Sequence, residues 1–310
     1  MQKLILNLKE KFKKAVQKNK AYYMLFSGGL DTSILVSLNS QIKAISVSLE
    51  SSGEDIYYSK LMADRFHLEW SHRVVDIDEA LNAIPTVIRS LKSFDPAIPN
   101  DLVVYFGLKF AKESGVKEIM TGDGADEIFA GYDFMRNMKD VEKYINRMTS
   151  SMFFNSNRLG NLFGIKIKQP YLEKELLDFT LKIPVKFKIK KEKGNLRGKW
   201  ILRKAFEDVL GGEIAWQSKR PLEYGSGMSN LRQIITSMVS DDEFNKKSKL
   251  YRIKFFNKEH LYYYEIYKNE VGEIPIPTGN EKICPGCGAG MEQKSFHCRV
   301  CGFVLDWRKG

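Results

Sequence analysis

Apolar positions change period several times along the chain, and each change predicts an element. From Leu4 to Lys20 they fall at 4, 5, 8, 12, 15 and 16, one face of a helix with lysines on the other. Tyr22 to Phe26 is a short continuous apolar run, the mark of a buried strand, and residues 30 to 38 predict the helix that follows. Ala44 to Leu49 alternates as a second strand, Asp55 to His67 is helical, Ser71 to Ile77 is a third strand and Asp78 to Ser93 a helix. Pro96 and Pro99 predict extended chain over 94 to 101, with Asn100 or Asp101 capping a helix over 102 to 114. Val116 to Met120 is a further strand. Strands that alternate with helices imply parallel crossovers, so the fold class is α/β with a doubly wound parallel sheet. From Asp133 onward the pattern is helical with no further strand. Lys168 to Glu173 reads as a turn, 198 to 206 as an amphipathic helix, 216 to 227 as a basic, glycine-rich loop, and the aromatics of 250 to 268 as core.

The first strand runs into Ser27-Gly28-Gly29-Leu30-Asp31-Thr32-Ser33. Strand, glycine turn and helix start make an anion site: the first helical N–H groups are unpaired, the dipole favours negative charge, and glycines allow close approach. Ser27, Thr32 and Ser33 add hydroxyl donors. The common triphosphate loop carries a lysine here, whereas this one carries Asp31, and a carboxylate beside phosphate calls for Mg²⁺. Most glycine turns are only turns, so the second landmark decides. Thr121-Gly122-Asp123-Gly124-Ala125-Asp126-Glu127 again joins a strand to a glycine turn bearing acids. Alone it would be an acidic helix start. Beside the first loop, Asp31 and Asp126 are the pair expected to share Mg²⁺.

The 310 residues, 43% of them hydrophobic, suffice for a sizeable core. No apolar run approaches a membrane span and residues 1 to 4 begin no signal peptide, which predicts a cytoplasmic protein with no membrane partner. The net charge of +11 is clustered: seven lysines against Glu10 in residues 1 to 20, and ten basic residues against Glu192 in residues 182 to 204. Such clusters fit a polyanion such as tRNA, although solvated lysine faces are the commoner meaning. All four cysteines, Cys284, Cys287, Cys298 and Cys301, lie in two C-x2-C knuckles near the end. Four thiolates on two short turns make a tetrahedral zinc ribbon, with iron and a pair of disulfides as the alternatives, and His297 surplus to the shell. Residues 273 to 280, with Pro275 and Pro277, predict a linker between a domain over 1 to 272 and the ribbon over 281 to 310.

The order of Ser-Gly-Gly-Leu-Asp-Thr-Ser, Thr-Gly-Asp-Gly-Ala-Asp-Glu-Ile-Phe-Ala-Gly-Tyr, Gly-Lys-Trp-Ile-Leu-Arg-Lys-Ala-Phe and Trp-Gln-Ser-Lys-Arg resembles the synthetase domain of glutamine-dependent asparagine synthetases, within the PP-loop ATP pyrophosphatases. The likeness runs from about residue 20 to 270. It implies an adenine nucleotide alpha hydrolase-like sheet that adenylates a small carboxylate with ATP, releases pyrophosphate and passes the acyl group to an amine. By this resemblance Ser27, Gly28, Gly29, Thr32 and Ser33 hold pyrophosphate, Asp31 and Asp126 hold Mg²⁺, and Lys219 reaches the phosphates. Thr121 and Gly122 lie near the nucleotide, and Leu25 and Val47 flank adenine. Asp123 stands where the family has glutamate, an acid/base at the amine step, and one methylene less withdraws the carboxylate by roughly 1.5 Å.

Other departures point away from ordinary asparagine synthetases. No cysteine precedes Cys284 and Gln2 follows Met1, so the glutaminase half is expected to be missing, and the nitrogen to come from free ammonia, another amine or a separate ammonia-supplying subunit. In Gly164 to Glu173, Lys166 replaces a family glutamate and Lys168 an arginine, which predicts a more anionic acceptor. The zinc knuckles are foreign to that family. The expectation is an amide ligase that forms a homodimer. An ATP-dependent tRNA-modifying enzyme is the alternative, lacking a free cysteine for sulfur transfer, and a non-catalytic nucleotide-binding module is the second.

Overall fold

The frame is a parallel sheet of five strands in the order β3-β2-β1-β4-β5: β1 Tyr23–Leu25, β2 Lys43–Leu49, β3 Trp70–Val75, β4 Glu118–Met120 and β5 Lys166–Lys168. The computed structural model describes residues 1–50, 53–306 and 308. Helices α1 Gln2–Lys18, α2 Leu30–Ser37, α3 Asp55–Phe66, α4 Ile77–Leu91 and α5 Ile98–Glu113 surround the first four strands. Successive strand residues face opposite sides. Thus Ile45, Val47, Leu49 and Ile119 pack under α4 and α5 in one apolar cluster, while Met24, Ala44 and Met120 join α1, α2 and the helix Trp200–Leu210 in the other. The predicted doubly wound α/β sheet is what forms.

Three local expectations are overturned. The stretch after Asp133 holds a further strand, β5, which pairs Lys166 with Glu118 and Ile167 with Ile119 just before the predicted turn. Three residues with one apolar side chain between two lysines are too few to display a strand period. Helix α5 begins at Ile98, because a proline in the first turn gives up only a donor that the helix would leave unpaired. Asp101 is therefore buried inside α5 and is no cap. Finally, the basic segment contains a hairpin, Lys190–Glu192 with Asn195–Arg197, turned through Lys193 and Gly194, both at positive φ.

The two basic clusters are partly tied into the fold, while Lys182, Lys186, Lys190, Lys191 and Lys193 stay exposed. On α1, Lys9 pairs with Asp208, Lys11 with Glu175, and Lys18 with Glu173 and Glu175. Lys188, Lys199 and Arg203 of the second cluster are buried. Among the described residues no helix is long and apolar enough to cross a membrane.

Asp101 makes a pH prediction. Burial pushes its carboxyl up to about 8, against the hydrogen bonds from Asn155 Nδ2, 3.1 and 3.0 Å from its two oxygens. The native state keeps a proton that the unfolded chain has released, so stability falls as pH rises from about 4 to about 8. Asp101→Asn should remove this fall, and its stability relative to the parent should rise between pH 5 and pH 8, by up to about 1.4 kcal/mol per unit. Urea unfolding at the two pH values checks it.

Candidate active site

β1 and β4 are neighbours, and the loops after them open at the carboxyl edge where the chain's winding reverses, the usual ligand crevice of such sheets. The cleft there is lined by Ser27, Gly29, Asp31 and Thr32 from the first loop and by Thr121, Gly122, Asp123 and Asp126 from the second. Thr32 Cγ2 lies 3.3 Å from where a Gly122 Cβ would stand, so the loops touch. Ser27 Oγ accepts from Gly29 N at 3.3 Å and Thr32 Oγ1 donates to the Gly29 carbonyl at 3.3 Å. Gly28 and Ser33 stand behind this surface: Gly28 has φ +66 and abuts the Tyr58 and Ser59 backbone of α3, and buried Ser33 donates to its carbonyl at 3.2 Å. Leu25 and Val47 line an apolar end with Ile45, Val103, Val104 and Leu222.

The centre of the cleft holds a lysine that the sequence reading passed over. Lys199 Nζ lies 2.6 Å from Asp31 Oδ2 and 2.8 Å from Asp126 Oδ1, and Lys219 Nζ lies 3.0 Å from Asp126 Oδ2. Lys199 caps the helix Trp200–Leu210 in the left-handed region, φ +54, and its chain passes over Gly131, where a Cβ would run into Asp126 and Lys199 Cε. Burial alone would raise Asp126, but the two ammonium groups bring it down to about 2. Asp31 is held above the usual range, burial and the charge of Asp126 outweighing its share of Lys199. Its Oδ1 is buried with no hydrogen-bond partner. A hard, unpaired carboxylate oxygen beside a second carboxylate is the donor chemistry that suits Mg²⁺. The available signal was a lysine set between Gly198 and an apolar helical run, with Gly131 closing the second motif.

Asp123 is held by residues that were also unforeseen. Its Oδ2 accepts from Thr121 Oγ1 at 2.7 Å, Ser156 Oγ at 2.6 Å and Gln169 Nε2 at 2.9 Å, which leaves Oδ1 without a partner among the described residues. Lys166 and Lys168 lie on the edge strand outside the cleft lining, and Lys168 pairs with Glu118 at 3.0 Å. The positive acceptor site expected from them is not formed. Cationic groups of the cleft are Lys199, Lys219, Arg203 and Arg220. Buried Arg203 donates to the carbonyls of Gly198, Ala215 and Gln217, and Arg220 Nε lies 3.3 Å from Asp55 Oδ1. Burial raises Asp55 to about 7 against that guanidinium.

The four cysteines form a second centre. Cys284 and Cys301 sulfurs are 3.7 Å apart, and those of Cys287 and Cys298 3.8 Å. These are free thiols, not disulfides. A tetrahedral ion with metal–sulfur bonds of about 2.3 Å requires sulfurs about 3.8 Å apart, so the set fits a metal. His297 turns away to Asp95 Oδ2, 3.0 Å.

Lys199→Met should leave two buried carboxylates to repel one another. A loss of about 3 kcal/mol is expected in urea unfolding, with Mg²⁺ raising the variant's melting temperature more than the parent's.

The sequence matches the family model for asparagine synthase over residues 6–161 and 144–264. Among curated proteins it is similar to a probable glutamine-hydrolysing asparagine synthetase of Dictyostelium discoideum, 27% identical over 77% of this chain and 50% of that protein. Asparagine synthetase B of Escherichia coli K12 is 26% identical over 90% of this chain and 54% of its own length. Asparagine synthetase 2 of Lotus japonicus is 25% identical over the same shares. The chain thus spans about half the length of the relatives it matches. With the family's motifs gathered at one cleft, the chain belongs to the asparagine synthase family.

Proposed function

We propose that the protein is an ATP-dependent, AMP-forming amide ligase for a small carboxylate acceptor. The observation that carries this reading is the Asp31–Asp126 pair, set at a helix N-terminus with two lysines on it and an apolar end beside it. Leu25 and Val47 would flank adenine, with Thr121 and Gly122 near the ribose and α-phosphate. Ser27, Gly29 and Thr32, with the first amides of α2, receive the β- and γ-phosphates. Mg²⁺ held by Asp31 and Asp126 supplies charge neutralisation for the phosphates.

The substrate carboxylate attacks the α-phosphorus, the bond to the bridging oxygen breaks, and pyrophosphate leaves with its charge met by Lys219 and Lys199. The amine then attacks the acyl carbon of the mixed anhydride and AMP departs. Asp123 is the acid/base at this step, its unpaired Oδ1 taking the proton that the amine gives up. Its clamp of three donors holds the shortened side chain in one orientation.

Relatives named as glutamine-hydrolysing motivate ammonia as the amine, from solution or from a separate subunit. The four-cysteine site is proposed to hold zinc. A cytoplasmic setting and a homodimer complete the reading. The internal pairing of the α1 lysines weighs against tRNA as the acceptor.

ATP–pyrophosphate exchange tests the proposal with aspartate, other small carboxylates and bulk tRNA supplied in turn. Exchange is expected with a small carboxylate and should fall by about 100-fold or more in Asp31→Ala. Exchange that appears only with tRNA would overturn it.

A further inference from the structure

The cysteine knuckles are seated on the segment between α4 and α5. The carbonyl of Val300, which lies between Cys298 and Cys301, accepts from Phe94 N at 2.7 Å and Ser93 Oγ at 3.3 Å. His297 meets Asp95, as above, and Gly302, at φ +76, is so close that a Cβ there would stand 2.8 Å from Asp95 Cγ. The first knuckle is tied as well, Lys254 N donating to the Gly286 carbonyl at 2.8 Å.

That segment in turn holds Arg232. Nη2 of Arg232 donates to the Pro96 carbonyl at 2.8 Å and to Glu223 Oε2 at 2.6 Å, while Nη1 meets both oxygens of Glu259 at 2.9 and 2.7 Å. Glu223 is buried in the short helix Leu222–Gly225, and Asn100 secures it again, taking its N–H at 3.0 Å and donating to Oε2 at 3.3 Å. This helix is the far anchor of the strap that carries Lys219 and Arg220. The near anchor is Gln217, whose carbonyl accepts from Arg203 at 2.9 Å and whose Nε2 donates to the Gly28 carbonyl at 3.3 Å.

We propose that the four-cysteine metal site sets the position of this strap over the cleft, and that Arg232 is the positioning residue that joins the two. The knuckles carry little regular structure, a two-residue strand pair of Lys282 with Met291 and Ile283 with Gly290 and a bridge of His297 with Val304, and a thiolate site of this kind draws much of its fold from the metal. Without the ion the Val300 carbonyl and His297 leave the Phe94–Pro96 segment, Arg232 loses the carbonyl that fixes its fork, and Glu223 is held less firmly, with Asn100 as its remaining fixed anchor. The proposal rests on the ligase reading only for what Lys219 does there.

The test is amide hydrogen exchange on the full-length, metal-loaded protein, on the same protein stripped with a chelator, and on metal-loaded Arg232→Gln, all without nucleotide. Peptides over residues 217–226 should exchange about tenfold faster in the stripped protein and in Arg232→Gln, with metal content unchanged in the variant and α1 still protected in both. Strap protection that survives metal removal would overturn the proposal. If stripping unfolds the whole chain, Arg232→Gln decides alone: an unchanged strap refutes the link. Because no nucleotide is used, failure of the ligase reading would show in pyrophosphate exchange and leave this result standing.

Discussion

One ammonium group between two carboxylates governs the site. Bringing Asp31 and Asp126 together in a buried cleft costs desolvation and mutual repulsion, and Lys199 offsets both. Many features of the surrounding chain serve that contact. Gly131 leaves room for the lysine stem, Gly198 fits against the Ala130 carbonyl, and Lys199 itself takes a left-handed backbone to turn inward. A lysine here is also a reserve of positive charge next to an acid pair fitted for a divalent cation, so the site is balanced before any ligand arrives.

The sheet places these groups. β1 and β4 end side by side, so loops almost a hundred residues apart in sequence meet with Thr32 against Gly122. Sheet sides divide the labour: the cluster beneath α4 and α5 reaches the cysteine knuckles, while the other carries α1 and the helix that presents Lys199. The two glycine loops of the cleft thus stand on two separately packed supports. The strap with Lys219 spans them, held by Arg203 at one end and by Glu223 at the other.

How much of this the sequence disclosed follows from the range of each interaction. Strand and helix periods are local, so β1 to β4 and both glycine loops were legible, as were the knuckles, whose spacing is itself the chemistry. Lys199 and the Asp123 clamp were not, because their partners are distant in the chain and a lysine before an amphipathic helix looks like any solvated one. Charge counting misled in part for the same reason: some members of the clusters are surface ion pairs and buried anchors in space. Gly28 shows a subtler limit. Its residue type suggested close approach to phosphate, but its left-handed φ and its contact with α3 are sufficient grounds for glycine.

The short strand β5 has a meaning beyond closing the sheet. Sheets with an open border invite another chain to add a strand. Here that border is three residues long, with a lysine at each end of it. A second copy approaching there would set like charges against each other with little backbone to gain. That border is thereby guarded against adding a strand from a second copy, which leaves the longer β3 as the other edge of the sheet.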